Sequence, residues 1–508
     1  MNRNFPILKW QTKVQPIIAR LIILKICLCY SFVSLAGEPL GTQASLADRY
    51  ARATESFQKQ IHAFAKQCLI DQETTLADRI KRFFPERTTA SLFYFLPSDD
   101  YLTPSQTENE KLFIELRRKH AQLLMQLAQE AATAGQVGLA IPLLYEALYF
   151  DGNLIEAREI LGQKKIEGRW VSEHAAERLT RGLVWDDQFG WISKDHLERY
   201  QEDERFFRGR WISSREDARR HQEIRNGWKV ETDHYEITTN VSIEAGVDLA
   251  QKLEAFYSVW SQLFAGYYLS KKSAVKQFSR THIQAKDKKK HKIYYFRNRS
   301  DYDQSLAKIQ PGIAGKTLGV YLENIKTAYF FAPNAESDEE KELSQITIWH
   351  EATHQLFAER IPTRKVSGLK NNFWFVEGIA CFLETLQRED QGWRLGGVRA
   401  GRLPTARIRV ERDHFYIPFA EVVGYGANEM LRNPQYRTLY TQAAGQAAFL
   451  MTAKNGIFRP AAIEYLRAIY RGRGKRDTLS NLTTKSFTAL DQEYRDFLLG
   501  ISGESTVE

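Results

Sequence analysis

Two histidines and a glutamate in the second half of the sequence have the spacing of a metal-dependent hydrolase site. His350 and His354 lie four residues apart, and Glu351 directly follows the first of them. Residues four apart share one face of an α-helix, with Cβ atoms about 5–6 Å apart, so two imidazoles can ligate one zinc ion. The Glu351 carboxylate would then lie where it can take a proton from a zinc-bound water. The pattern predicts zinc-assisted hydrolysis; a polar patch on a helix surface is the alternative interpretation.

A second helix, predicted over Phe373–Glu384, carries a third ligand. Glu377 is a carboxylate on this following helix, and three protein ligands leave the fourth zinc position for water. The small residues Gly378 and Ala380 predict that this helix closely approaches the zinc-binding helix. Glu384 lies two turns after Glu377 on the same face, where it would orient a ligand imidazole. A surface ion pair is the alternative interpretation for Glu384.

Together, the two segments resemble the gluzincin superfamily of zinc metallopeptidases. The resemblance rests on His350–His354 and Trp374–Ala380, and it covers roughly Trp228 to Leu499. In character the sequence is closest to an uncharacterised bacterial branch of exported, peptidase-like proteins, and no aminopeptidase signature precedes the zinc helix. The resemblance implies one Zn²⁺ as cofactor, three metal ligands and one general base that also acts as acid: His350, His354 and Glu377 as ligands, and Glu351 as the base.

The resemblance also implies a hydrogen-bond donor that stabilises the oxyanion formed when water attacks a peptide carbonyl. Related enzymes take this donor from a Tyr or His in the helical half that follows the second motif. We choose Tyr440, near the start of an apolar helix, with Tyr425, His414 and Tyr416 as the other candidates. The segment Gly319–Leu322 is predicted to be an edge strand that binds extended substrate by strand addition.

The elements before the zinc-binding helix alternate between strand and helix patterns. They predict a small sheet within an α+β, zincin-like domain over residues 225–500, with a helical C-terminal half. The zinc helix is predicted to begin at Ser337, a residue typical of N-caps, with Glu340 as its capping-box partner. The predicted strands are Trp228–Thr232, Tyr235–Thr239, His291–Arg297, Thr317–Leu322 and Lys326–Ala332, and the predicted helices are Ile243–Ala265 and Tyr302–Lys308.

Residues 40–165 are predicted to be helical. Apolar residues recur at helical spacing over Leu46–Leu69 and Leu112–Ala132. The small residues of His120–Leu161 resemble a tetratricopeptide-like helical hairpin. A single unit of such an array does not bury a core by itself, and ordinary helix packing explains the pattern equally well. This region is where we expect any protein partner to bind.

Residues 166–224 contain a short Gly-Trp repeat. Trp170, Trp191 and Trp211 recur in similar short segments, each followed by a polar stretch that favours helix. The repeat predicts three units of strand or turn plus helix. Either the three rings are platforms for a ligand such as a sugar, or each packs on a small core of its own, and the second interpretation is favoured.

The first 36 residues have the composition of a secretory signal peptide. They contain five basic residues and no acidic one, then an apolar run over Leu21–Ala36 with small residues at its end. We expect cleavage near Ala36 and a secreted, periplasmic or cell-surface protein. An uncleaved anchor is the alternative, and membrane association is expected through this segment alone.

Length, charge and cysteine content exclude several classes of protein. A chain of 508 residues predicts two or three domains. The formal net charge of +9 falls to +4 without the five cations of the leader, which argues against a nucleic-acid partner. Four cysteines are too few for a disulfide scaffold, and Cys68 and Cys381, which lie beyond the leader, are expected as buried thiols.

The sequence therefore predicts hydrolysis of a peptide bond in a peptide or protein substrate, by zinc-activated water with Glu351 moving the proton. Three alternatives remain open. The first is a zinc-binding pseudopeptidase that acts as an interaction scaffold, and the second is a zinc hydrolase of a non-peptide amide in the cell envelope. The third is a helical binding protein in which the HExxH pattern is accidental.

Overall fold

The structure is a computed structural model of the chain, and it describes residues 45–86, 88–103, 105, 107–279, 289–361 and 368–500. The predicted signal peptide, residues 1–36, lies outside the described residues. The chain divides into two compact units, residues 1–55 and 56–508. The domain boundaries predicted near residues 165 and 225 both fall inside the second unit.

The described chain begins with helices, as predicted, but one strand interrupts them. The helix Glu108–Ala134 (α3) starts at a capping box formed by Thr107 and Glu110. It ends at Gly135, whose φ of 83° suits a residue without a Cβ. The strand β1 (Ser91–Phe95) corrects the all-helical expectation, because it pairs with a strand of the C-terminal half. The helices are α1 (Leu46–Ile70), α2 (Thr74–Lys81), α3 (Glu108–Ala134), α4 (Val137–Phe150) and α5 (Ile155–Ile160).

The Gly-Trp repeat forms three β-hairpins, each followed by a short helix, as predicted. The first and third hairpins turn through two residues with positive φ, the second of which is Gly168 or Gly209. This turn geometry matches the twist of two-stranded hairpins. The elements are β2 (Lys164–Ile166), β3 (Arg169–Val171), α6 (Glu173–Leu179), β4 (Leu183–Asp186), β5 (Gly190–Ser193), α7 (Leu197–Gln201), β6 (Glu204–Phe207), β7 (Arg210–Ser213) and α8 (Ser214–Arg220).

A five-stranded mixed sheet follows. Its strands lie in the order Gly319–Leu322 (β11), Thr327–Phe331 (β12), His291–Phe296 (β10), Tyr235–Thr239 (β9) and Trp228–Glu231 (β8). Strands β9, β10 and β12 run parallel, and β8 and β11 are antiparallel edges. Residues 271–278, which lie between the predicted helix Ile243–Ala265 and the predicted strand His291–Arg297, also form a helix. The elements are β8 (Trp228–Glu231), β9 (Tyr235–Thr239), α9 (Ile243–Leu263), α10 (Ala265–Tyr268), α11 (Lys271–Phe278), β10 (His291–Phe296), α12 (Arg299–Ile309), β11 (Gly319–Leu322) and β12 (Thr327–Phe331).

The C-terminal half is mostly helical and shares one hydrophobic core with the sheet. Ser337 is the N-cap of the helix Asp338–Arg360 (α13), as predicted. Its hydroxyl accepts a hydrogen bond from the Glu340 amide at 3.2 Å. The Glu340 carboxylate instead accepts from the Asn334 amide, so the capping box is half formed. The elements are α13 (Asp338–Arg360), α14 (Phe373–Leu383), β13 (Gln387–Glu389), β14 (Gly392–Gly396), α15 (Leu403–Glu411), α16 (Phe419–Val422), α17 (Ala427–Leu431), α18 (Tyr436–Gly456), α19 (Arg459–Tyr470), α20 (Thr478–Thr483) and α21 (Phe487–Gly500).

The whole described molecule is thus of the α+β class that the sequence predicted, with more helix than strand. Strand β1 forms a second, three-stranded sheet in the order β1-β14-β13, which joins the N-terminal helical region to the C-terminal half. None of the helices within the described ranges has the length and apolar content that a membrane crossing needs.

Candidate metal site

Helix α13 carries the first part of the site and packs closely against strand β11. A Cβ placed on Gly319 would lie 2.7 Å from Cγ2 of Thr347 on the helix, closer than real Cβ contacts allow. Only a residue without a side chain therefore lets the edge strand approach the helix this closely. This approach brings the backbone of β11 to the turn of α13 that contains the HExxH pattern.

The three predicted ligands converge on one point. Nε2 of His350 lies 3.1 Å from Nε2 of His354 and 3.3 Å from Oε2 of Glu377, and Nε2 of His354 lies 3.7 Å from Oε1 of Glu377. A tetrahedral zinc ion, with bonds of 2.0–2.1 Å, holds its ligand atoms about 3.4 Å apart. The donor set and its separations fit a zinc ion with one position left open, and these three residues could hold it.

Glu377 reaches this point because α14 packs closely against α18. A Cβ on Gly378 would lie 2.5 Å from the carbonyl oxygen of Ala443, so the small residue serves contact with α18. The expectation that Gly378 serves the approach to the zinc helix is therefore wrong. Burial by itself raises the pKa of the Glu377 carboxyl, but His354 and His350 outweigh it and hold that pKa below its usual range.

Glu384 lies at the position predicted for an orienting acceptor. Its Oε1 is 2.7 Å from Nδ1 of His350, and its side chain is only 8% exposed. A hydrogen bond from Nδ1–H to this carboxylate keeps the hydrogen on Nδ1 and leaves Nε2, the atom that faces Glu377, free to bind metal. Cys381, a free buried thiol as expected, also lies near His350 and Glu384. The 2.7 Å separation between Glu384 and His350 is a hydrogen-bond distance, so Glu384 and Cys381 support the ligand His350 rather than form a second metal site with it.

The two histidines differ in protonation. Burial lowers the pKa of His354 to about 4, which keeps its imidazole neutral and able to bind metal. Burial also lowers the pKa of His350, but Cys381, Glu377 and Glu384 outweigh this and hold it well above the usual value. Metal would therefore compete with a proton at His350.

Glu351 points to the edge strand. Its Oε2 accepts a hydrogen bond from the Tyr321 amide at 2.8 Å, which orients the carboxylate. Burial raises the pKa of Glu351 to about 7. A carboxylate with a pKa near neutrality can both accept and return a proton, as a general base and acid must. Sequence reasoning missed the Tyr321 amide, because a backbone donor leaves no signal in residue type.

Tyr440 lies in the first turns of α18, beside Glu377. Its hydroxyl hydrogen-bonds the Glu377 carboxylate, and burial with this negative charge raises the pKa of Tyr440, so the phenol remains a donor. The other candidates have other environments. The hydroxyl of Tyr425 donates to Glu421, that of Tyr416 donates to Asp491, and His414 is exposed.

The tryptophans of the repeat each have a cation over one ring face. Lys165 lies 5.6 Å from the centre of the Trp170 ring, Arg178 lies 5.7 Å from that of Trp191, and Arg199 lies 4.0 Å from that of Trp211. The last two rings also pack on aromatic rings of their own units, Trp185 and Phe206. These contacts support small local cores.

Comparison with protein-family models gives no match for this sequence, and comparison with curated proteins gives none either. What the site can do therefore follows from its own residues. Two imidazoles and one carboxylate fit a zinc ion, a second carboxylate lies beside them with a pKa near neutrality, and a phenol donor completes the group.

Proposed function

We propose that this chain is a zinc-dependent hydrolase of peptide bonds, of the gluzincin type. One observation carries the proposal: the ligand atoms of His350, His354 and Glu377 lie 3.1–3.7 Å apart, at the separations that tetrahedral zinc requires. A bound Zn²⁺ would supply Lewis acidity for the carbonyl and for the attacking water. A peptide or protein is the proposed substrate, and a secreted, periplasmic or cell-surface location follows from the leader sequence.

The chain's own residues provide the remaining steps. Glu351 takes a proton from the attacking water and returns it to the leaving amine, while the Tyr321 amide keeps its carboxylate aimed at the site. The Tyr440 hydroxyl donates to the oxyanion that develops on the carbonyl. Strand β11 is an edge of the sheet, so an extended peptide can pair with its free side next to Glu351.

Zinc content and peptide cleavage test the proposal together. The purified protein is expected to hold about one zinc per chain, and His350→Ala is expected to lose it. Glu351→Gln is expected to keep the zinc and to lose about 10²–10⁴-fold in cleavage of a peptide library. Glu216→Gln, at an ion pair on the surface of the repeat, is the matched control and should cleave like wild type.

Three results would contradict the proposal in different ways. Folded protein that holds no zinc after reconstitution would favour the helical binding protein. Zinc binding without cleavage of any peptide would favour the pseudopeptidase scaffold. Cleavage of a cell-wall amide in place of peptides would assign the same site to a different substrate class.

A further inference from the structure

The carboxylate of Glu384 has a second neighbour beyond the ligand histidine. Its Oε1 is bonded to Nδ1 of His350, and its Oε2 lies 3.5 Å from Nε of Arg402. Arg402 comes from the loop that precedes α15, outside both zinc-binding motifs. Contacts therefore run from Arg402 through Glu384 to Nδ1 of His350, the imidazole whose Nε2 faces Glu377.

Glu384 is buried, with 8% of its side chain exposed, and it has a cationic partner besides the histidine. A buried carboxylate without a countercharge is unfavourable, so this partner favours the position that the carboxylate occupies. Within the described ranges, Arg402 is the only lysine or arginine paired with Glu384. The Nε of Arg402 is itself buried, and its polar contact is the ion pair with Glu384.

We propose that Arg402 is a positioning residue for the metal site: it holds the Glu384 carboxylate in the orientation that accepts from Nδ1 of His350. His350 then keeps the tautomer in which Nε2 is free for metal. This inference rests on the proposed zinc site, but not on the identity of the substrate. Arg402 contacts neither metal nor substrate, so its effect passes through Glu384.

The dissociation constant for zinc, measured by competition with a chromophoric chelator, tests this role. Arg402→Met, which keeps the length of the side chain without the charge, is expected to bind zinc about 10–100-fold more weakly than wild type. Arg402→Lys restores the charge without the planar donor and should recover part of that loss. Arg399→Met, an exposed arginine of the same loop, is the matched control and should bind like wild type.

A double-mutant cycle separates positioning from a general loss of stability. If Arg402 acts through Glu384, then Glu384→Gln combined with Arg402→Met should bind zinc no more weakly than Glu384→Gln alone. Multiplying losses would overturn the inference. So would an Arg402→Met protein that melts at a lower temperature but binds zinc like Arg399→Met.

The zinc readout keeps this inference distinct from the proposed function. If the wild type binds zinc and Arg402→Met weakens that binding, but no peptide is cleaved, then the positioning role holds and the peptidase proposal fails. If peptides are cleaved and Arg402→Met binds zinc normally, then the reverse is true. A wild type that binds no zinc overturns both.

Discussion

The candidate metal site and the Gly-Trp repeat both concentrate aromatic and charged residues, but they use them in opposite ways. In the repeat, partners lie close in sequence: Arg199 covers the ring of Trp211, and Arg220 pairs with Glu216 one turn away. At the site, the interacting side chains come from α13, α14, α18 and the loop before α15. Its carboxylates Glu377 and Glu384, each with 8% of the side chain exposed, are also more deeply buried than the pair of Arg220 and Glu216, with 35% and 36% exposed.

The depth at which a charged group is buried decides how much folding free energy it costs. A solvent-exposed ion pair such as that of Arg220 and Glu216 changes the free energy of folding little. Buried carboxylates gathered from distant segments cost folding free energy, unless a cation or a metal compensates them. A cluster of that kind with shifted pKa values is typical of functional sites. Three predictions test this comparison, the first with the largest expected effect.

Removing the hydroxyl of Tyr440 should affect the reaction and little else. Tyr440→Phe is expected to lower kcat about 10²-fold with a much smaller change in KM, because a donor to the oxyanion acts in the transition state. Steady-state kinetics on a cleaved peptide measure this. Tyr425→Phe, which removes a hydroxyl bonded to Glu421, is the control and should leave kcat unchanged. An undiminished kcat in Tyr440→Phe would show that another group stabilises the oxyanion.

A methyl group at Gly378 should separate α14 from α18. The added Cβ would lie 2.5 Å from a carbonyl oxygen of Ala443, so Gly378→Ala is expected to lower the free energy of unfolding by about 1–3 kcal/mol. Urea denaturation measures this loss, and zinc affinity should fall as Glu377 moves. Gly138→Ala on α4 meets no atom within 4 Å and should be neutral or slightly stabilising. If Gly378→Ala were as neutral as Gly138→Ala, the two helices would adjust to the added methyl group without cost.

In the repeat, pH should change the folding stability only slightly, through the ion pair of His221 and Asp217. Burial lowers the pKa of His221, but Asp217, with Oδ1 at 3.3 Å from Nε2, and the backbone carbonyl of Asn226 outweigh it, so the net pKa is raised. A raised pKa contributes stability fully below about pH 6.5, the ordinary value, and that contribution is lost as pH rises through the folded pKa. His221→Asn should therefore lower the melting temperature more at pH 6 than at pH 8. The difference in the free energy of unfolding between the two pH values should be less than about 1 kcal/mol.

The Asp217→Asn background provides the control for this titration. Without the carboxylate, the effect of His221→Asn should differ less between the two pH values, because only the Asn226 carbonyl still favours the charged imidazole. An undiminished pH dependence there would assign the shift to a group other than Asp217.

The positions of many helices and strands could be predicted from the local sequence pattern. The strands β8 to β12 and helices α9, α12, α13 and α14 lie within a few residues of their predicted bounds, because their hydrophobic periods are regular and caps such as Ser337 mark their starts. Strand β1 was missed, since its partner Gly392–Gly396 lies about three hundred residues away and no local pattern signals such pairing.

For the site, residue type and spacing predicted the proposed ligand set. His350 and His354 follow from 3.6 residues per turn and the preference of zinc for nitrogen ligands, and Glu377 follows from the need for a third ligand on a following helix. Tertiary structure alone decided what surrounds them. It placed the Tyr321 amide on Glu351, Tyr440 on Glu377 and Arg402 on Glu384. These contacts depend on how separate elements pack, and a spacing along one helix carries no information about the elements that pack against it.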